Sequence, residues 1–161
     1  MNYPRLFVIL LLCMHQLKAQ NNELSIMPSI GFASGLFDGQ GYYIGVNPVK
    51  KLTDRFSAEG QISFISASGA AFLSGTQQNV QSLGMLLGGR FYLNSQENKT
   101  RFYLNTLIGL NYNNTENENR PRIEEYALAL SGGVFVALNK TTIGLGFDTP
   151  QYFVLKVGYM F

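Results

Sequence analysis

The side chains best suited to covalent chemistry are few, and they stand where a mature protein would lose them. The only cysteine is Cys13 and the only histidine is His15. Both fall in a segment with the layout of a secretory leader. Arg5 gives a positive start, Leu6 to Met14 an apolar run, and Leu17-Lys18-Ala19 a small residue for cleavage before Gln20. Two alternatives for this segment are an uncleaved anchor and a lipidated Cys13. The apolar run is shorter than the about 20 residues a spanning helix needs, and Leu12 is large for a residue preceding a lipidated cysteine. Removal of residues 1–19 leaves neither Cys nor His. That excludes disulfides, thiol chemistry and Ser–His nucleophilic catalysis.

Carboxylates and cations remain. Glu124 and Glu125 are adjacent, so on a strand they point to opposite faces and cannot share one substrate. Glu116 and Glu118 lie in an Asn-rich run, 113–119, where a solvated charge cluster is the plain reading and a Ca²⁺ site the alternative. Gly88-Gly89 precedes Arg90, but no phosphate-loop pattern follows. The most informative polar set is Glu59, Arg90, Arg101, Glu125 and Lys156. Each falls on the polar side of a segment that is otherwise apolar at alternate positions. Whether these residues meet depends on the elements that carry them.

Those elements are strands. Charged residues make up 14% of the chain, well below the usual quarter of a soluble protein, while Gly reaches 17 residues and Trp is absent. Alternation with period two recurs along the whole chain after residue 20. At the C-terminus Phe153, Leu155, Val157, Tyr159 and Phe161 share one face, opposite Tyr152, Val154, Lys156 and Gly158. Upstream, Phe102, Leu104, Thr106, Ile108, Leu110 and Tyr112 oppose Arg101, Tyr103, Asn105 and Asn111. The pattern predicts eight strands, near 23–34, 41–49, 56–66, 79–93, 100–112, 123–138, 141–148 and 152–161. The first is expected to place Leu24, Ile26, Ile30 and Phe32 on one face. The connectors alternate: 50–55, 94–99 and 139–140 are short, whereas 34–40, 67–78 and 113–122 are longer.

A soluble sandwich or lipocalin-like barrel would also alternate. The spacing of aromatics separates these readings. On the apolar face Phe56 pairs with Phe64, Phe102 with Tyr112, and Phe153 with Phe161, each 8–10 residues apart. At about 3.3 Å per residue and roughly 40° of tilt, such spacings rise about 20–25 Å, the height of the apolar band between aromatic girdles. The predicted fold is therefore all-β: an eight-stranded antiparallel up-and-down transmembrane β-barrel. Glu59, Arg90, Arg101, Glu125 and Lys156 would then face the lumen. Isolated charges there are costly, so they should pair into a polar network that fills it. A small polar conduit is the alternative. After loss of Arg5 and Lys18, ten basic residues balance ten acidic ones. Nothing in that balance points to nucleic acid.

The terminal run Phe153-Val154-Leu155-Lys156-Val157-Gly158-Tyr159-Met160-Phe161 resembles the C-terminal signal of outer-membrane proteins. With the leader, the mature length and the Asn-rich style, the sequence is similar to small barrels of the OmpX/OmpA type, the porin-family "outer membrane beta-barrel" proteins of Bacteroidota. The resemblance implies a signal peptide at 1–19 and one barrel domain at 20–161. It implies residence in the bacterial outer membrane as a monomer in contact with its lipid, and recognition of Val157, Tyr159 and Phe161 by the barrel-assembly machinery. No cofactor or metal is expected. The expected function is non-enzymatic, with a plugged polar lumen and loops 34–40, 67–78 and 113–122 turned outward for an unidentified ligand. A narrow pore or small-molecule transporter is the alternative. A lipid-modifying enzyme is the third reading, since barrels that acylate or deacylate lipid A use a catalytic His.

Overall fold

In a computed structural model, residues 24–35, 39–70, 77–95, 97–117, 120–149 and 152–161 are described. The leader expected at 1–19 lies outside them. The chain forms eight strands: β1 (Leu24–Gly35), β2 (Gln40–Lys51), β3 (Phe56–Ala70), β4 (Gln77–Tyr92), β5 (Thr100–Asn117), β6 (Arg120–Leu138), β7 (Thr141–Asp148) and β8 (Tyr152–Tyr159). Each is antiparallel to the next, and β8 returns to β1 to close a barrel. Closure removes the free edges that an open sheet would expose.

The alternation sorts side chains cleanly. Strand β8 runs buried, exposed, buried, exposed from Tyr152 to Tyr159. Outward-facing residues include Ile30, Ile44, Ile62, Met85, Leu87, Leu104, Ile108, Leu110, Leu128, Val134, Leu145 and Leu155, all exposed. Leu87 is 72% exposed and Leu128 67%, values far too high for a soluble core. Among the described residues no charged side chain interrupts this band. Aromatics close it at both ends, as cross-strand partners. Phe32 lies opposite Tyr42, Tyr112 opposite Tyr126 and Phe147 opposite Phe153 at one end. Phe56 lies opposite Phe91 at the other end, where Phe102, Tyr159 and Phe161 stand on other strands or beyond them.

Two expectations need correction. Ile26 shares the outward register of Ile30 but is buried; its carbonyl accepts the Phe161 N–H where the chain end folds alongside. The longer connectors are also strand at their edges, among the described residues. The ladder of β3 and β4 runs on to Ala70 opposite Gln77, and that of β5 and β6 to Asn117 opposite Arg120, with a register shift between Thr115 and Asn117. Polar residues mark where the apolar band stops. They do not stop backbone pairing, so the hairpins continue beyond it.

At the other end the connectors are tight. The β6–β7 turn is only Asn139-Lys140, and Asn139 holds a φ of 55°, the left-handed region that Asn tolerates better than most residues. Inside the wall, a Cβ at Gly45 would strike the Tyr43 hydroxyl, so the missing side chain makes room for a tyrosine laid across the lumen. Replacing Asn139 with Gly should leave stability within a few tenths of a kcal/mol. Asn139→Val should cost about 1–2 kcal/mol because a β-branched residue resists that conformation. Urea unfolding of the refolded barrel measures both.

Candidate functional site

The lumen is built from the inward positions of all eight strands, with its charged residues on β3, β4, β7 and β8. Glu59 of β3 and Arg90 of β4 are diagonal neighbours, since Ser57 stands opposite Arg90 and Gly88 opposite Glu59. Gly88 lets the neighbouring Thr106–Leu107 backbone approach closely and Gly89 makes room for the Phe56 ring, while the Arg90 side chain spans this diagonal. Its Nε donates to Glu59 Oε2 at 2.6 Å and its Nη2 to Oε1 at 2.8 Å. This two-pronged geometry suits guanidinium and carboxylate. The Arg90 side chain is completely buried, and its guanidinium lies 4.8 Å from the centre of the Tyr103 ring. Asn47 Nδ2 donates to Glu59 Oε1 at 2.7 Å, and Asn105 Nδ2 to Oε2 at 3.4 Å. The carboxylate thus has four donated hydrogen bonds, a necessity for an anion removed from water.

A second centre forms around Lys156 of β8. Its ammonium lies 3.0 Å from Asp148 Oδ2, donates to Gln61 Oε1 at 3.4 Å and sits 4.5 Å from the Tyr43 ring centre. Asn47 and Gln61 join the two centres: Asn47 Nδ2 also reaches Gln61 Oε1 at 3.3 Å, and Gln61 Nε2 donates to Ser63 Oγ. The result is one continuous polar layer with two ion pairs.

Of the five residues singled out in the sequence, Glu59, Arg90 and Lys156 come together here. Arg101 and Glu125 do not, which corrects the five-membered network. Arg101 sits at the short-turn end, where its Nη2 donates to the backbone carbonyl of Asn139. Glu125 stands opposite Asn113 near the tip of the β5–β6 hairpin and is exposed. Both have the right parity for the lumen but lie beyond its ends. The members not singled out in the sequence are Asp148 and Asn47; Asn105 and Tyr103 stand on the inward face, as the alternation predicts. Asp148 shares the parity of Gly144 and Gly146 in β7, a signal present in the sequence but obscured by its position at a connector. Val157, Tyr159 and Phe161 face outward and are exposed, with the Tyr159 and Phe161 rings 5.0 Å apart. Among the described residues, no three potential metal ligands converge. The Ca²⁺ alternative at 113–119 lies partly outside those residues.

No protein-family model matches the chain, and no curated protein does. Solved structures do. The chain is similar to Ail, the attachment invasion locus protein of Yersinia pestis, solved in complex with the heparin analogue sucrose octasulfate. That match has 14% identity and a TM-score of 0.59, covering 86% of this chain and 99% of that one. It is similar to Neisserial surface protein A at 12% identity and a TM-score of 0.59, covering 85% and 95%. It also matches the outer membrane enzyme PagL at 9% identity and a TM-score of 0.51, covering 84% and 97%. The fold is that of the small eight-stranded outer-membrane barrels. Since the same architecture carries an enzyme, it does not by itself decide activity.

The lumenal pair makes a prediction. Arg90→Ala strands a buried carboxylate and should destabilise the barrel by about 3–5 kcal/mol. The double replacement Glu59→Leu with Arg90→Met, which removes both charges and keeps the volume, should cost much less. Unfolding of both variants in urea checks the ordering.

Proposed function

We propose that the chain is an integral protein of a bacterial outer membrane, delivered by a leader at 1–19, that holds its hairpins 34–40, 67–78 and 113–122 on a rigid monomeric barrel at the cell surface. The observation that carries this reading is the outward band: exposed aliphatic side chains all round a closed barrel, edged by aromatics at both ends. Water would penalise that surface, whereas lipid hydrocarbon accommodates it. The short-turn end would face the periplasm and the extended hairpins the exterior. Val157, Tyr159 and Phe161 form an outward aromatic and aliphatic edge on the last strand, suited to recognition by the barrel-assembly machinery.

A non-enzymatic role with a plugged lumen is supported by the interior. Arg90, Tyr43, Tyr92 and Tyr103 fill it with almost no exposure, and the gap bounded by Gln61, Ser63, Asp148 and Thr149 has no room for a water-sized solute. Without Cys or His after the leader, the chain also offers no nucleophile–base pair of the Ser–His kind. The polar layer around Glu59 and Lys156 favours one second reading, a narrow pore. Steady conductance in planar bilayers that Arg90→Ala alters would support the pore; silence supports the plugged scaffold.

Two experiments test the proposal. Trypsin added to intact cells should cut after Arg122 (the Arg120–Pro121 bond resists trypsin) and spare Lys51 and Lys99; the reverse pattern would invert the orientation. In bilayers, Ile108→Lys places a charge at mid-band and should cost roughly 2–4 kcal/mol of folding stability. Gln81→Lys, exposed and outward but beyond the aromatics, should cost near zero. Equal costs would remove the lipid-facing band and with it the membrane reading.

A further inference from the structure

Beyond the apolar band the two ends of the barrel offer different chemistry. At the short-turn end the turns and strand ends carry Lys50, Lys51, Arg55, Lys99, Arg101 and Lys140 against Asp54 and Glu97. At the other end β3 to β6 run on past the aromatic rim as a four-stranded sheet, while β7 stops at Asp148 and β8 begins at Tyr152. The outer face of that sheet keeps the parity of the exposed Leu87, Ile108 and Leu128, so it continues the lipid-facing wall without a break.

Register arranges the side chains of this face in rows. Leu83, Tyr112 and Tyr126 form the rim row, each opposite the next on the adjacent strand. Directly above them stand Gln81, Asn114 and Glu124, paired in the same way. A further row adds Asn79 opposite Glu116. Gln81, Asn79, Glu116 and Glu124 are exposed. The Tyr112 and Tyr126 rings lie 5.2 Å apart. Tyr126 is 81% exposed, more than any other described aromatic. The cause is positional: the β6–β7 ladder begins only at Ser131, which leaves no strand beside Tyr126 on that side among the described residues.

Depth and chemistry together select what can cover this face. Two residues of strand rise about 5 Å at roughly 40° of tilt, so each row stands about 5 Å beyond the one below. The polar layer on each side of a bilayer is only about 5–7 Å deep. With the band in lipid, the Gln81 row lies among headgroups, and the Asn79 row is reached only by headgroups that extend further. Phosphate suits the face poorly: its described side chains include Glu116 and Glu124 and no cation, Arg120 and Arg122 standing higher on β6. Hydroxyls suit it well, because an amide both donates and accepts and a carboxylate accepts from O–H. The Tyr126 ring beside them offers a flat apolar surface to the C–H side of a sugar ring.

We propose that this face is a binding site for a sugar-bearing lipid headgroup, its ring against Tyr126 and its hydroxyls on Gln81, Asn114 and Glu124. The site rests on the membrane reading above. The occupant is a lipid and not a soluble sugar because the polar rows rise directly from the wall that acyl chains cover.

The test uses the full mature barrel refolded in nanodiscs of phosphatidylcholine that contain equal amounts of digalactosyl diacylglycerol and phosphatidylglycerol. The protein is then released into a neutral detergent without a sugar headgroup for native mass spectrometry. The wild type should retain the galactolipid in preference to both phospholipids. Gln81→Ala with Tyr126→Ala should weaken that retention about fivefold per residue, roughly 25-fold together, the equivalent of about 1 kcal/mol for each contact. Phe102→Ala, which removes an exposed aromatic at the opposite rim, should change little. Preferential retention of phosphatidylglycerol would overturn the site, replacing it with one led by cations. Equal retention by wild type and the double variant would also overturn it, as would an equal effect of Phe102→Ala. Displacement of the lipid by millimolar free galactose would reassign the face to a soluble sugar and overturn the lipid assignment. Heat-modifiability on gels reports folding separately. A chain that never inserts into the nanodisc refutes the membrane reading, whereas one that inserts without lipid preference refutes only the site.

Discussion

The closing seam between β1 and β8 is the constraint from which the rest follows. In an apolar medium no water satisfies a stray N–H or C=O, so the sheet must end on itself. Here it does so through a short ladder, from Ser29 opposite Gly158 to Gly35 opposite Tyr152. The β3–β4 ladder is far longer, running from Phe56 to Ala70 on one strand. Yet the short seam settles the geometry for all eight strands. Closure with eight strands leaves an interior about wide enough for side chains alone. It also forces every strand to divide its residues between inside and outside, which is why the period of two persists for so much of the chain.

What fills the interior is set by that division and by charge. Glu59, Arg90, Asp148 and Lys156 would each be costly if buried singly, and they occur as two ion pairs bridged by Asn47 and Gln61. Such pairs are weak contributors to net stability, since desolvation offsets most of the attraction. We infer that their larger effect is on register. A slip of one residue in β3, β4 or β8 would turn Glu59, Arg90 or Lys156 into the apolar band. Each misplaced cation there costs roughly 2–4 kcal/mol. The buried charges therefore separate the native pairing from its nearest competitors, even where they add little to it.

The same reasoning explains which features were legible in the sequence. Parity was readable, because alternation of Phe102, Leu104 and Ile108 with Tyr103, Asn105 and Leu107 is a local property. It placed Glu59, Arg90 and Lys156 inside. Depth was not readable. Arg101 and Glu125 share the inward parity, but they sit past the ends of the band, out of reach of the central charged layer. Hairpin length was missed for a related reason. The residues 113–117 are polar on both faces, which looks like loop composition, but cross-strand hydrogen bonds hold them in a ladder without any apolar face to bury. Ion-pair partners were missed where a residue closes an element. Asp148 ends β7 and reads as a turn residue until β8 brings Lys156 beside it.

The ends of the barrel are then free to be tuned separately from its wall. The wall is governed by burial, which acts on many aliphatic side chains at once and fixes the depth of the band. The ends feel only interfacial charge, at about 1 kcal/mol per cation, and that attraction fades over about 8 Å at physiological salt. Only residues at the turns lie within that reach. The far β5–β6 hairpin carries Glu116, Glu124 and Glu125 alongside Arg120 and Arg122, whereas six basic residues stand against Asp54 and Glu97 at the short-turn end. Their summed attraction to an anionic surface is smaller than the burial term, so it does not decide whether the barrel inserts. It bears instead on how an inserted barrel is seated at the interface. The hairpins, held beyond the charge layer by their own ladders, are relieved of both tasks. Their sequence is thereby left free of both demands.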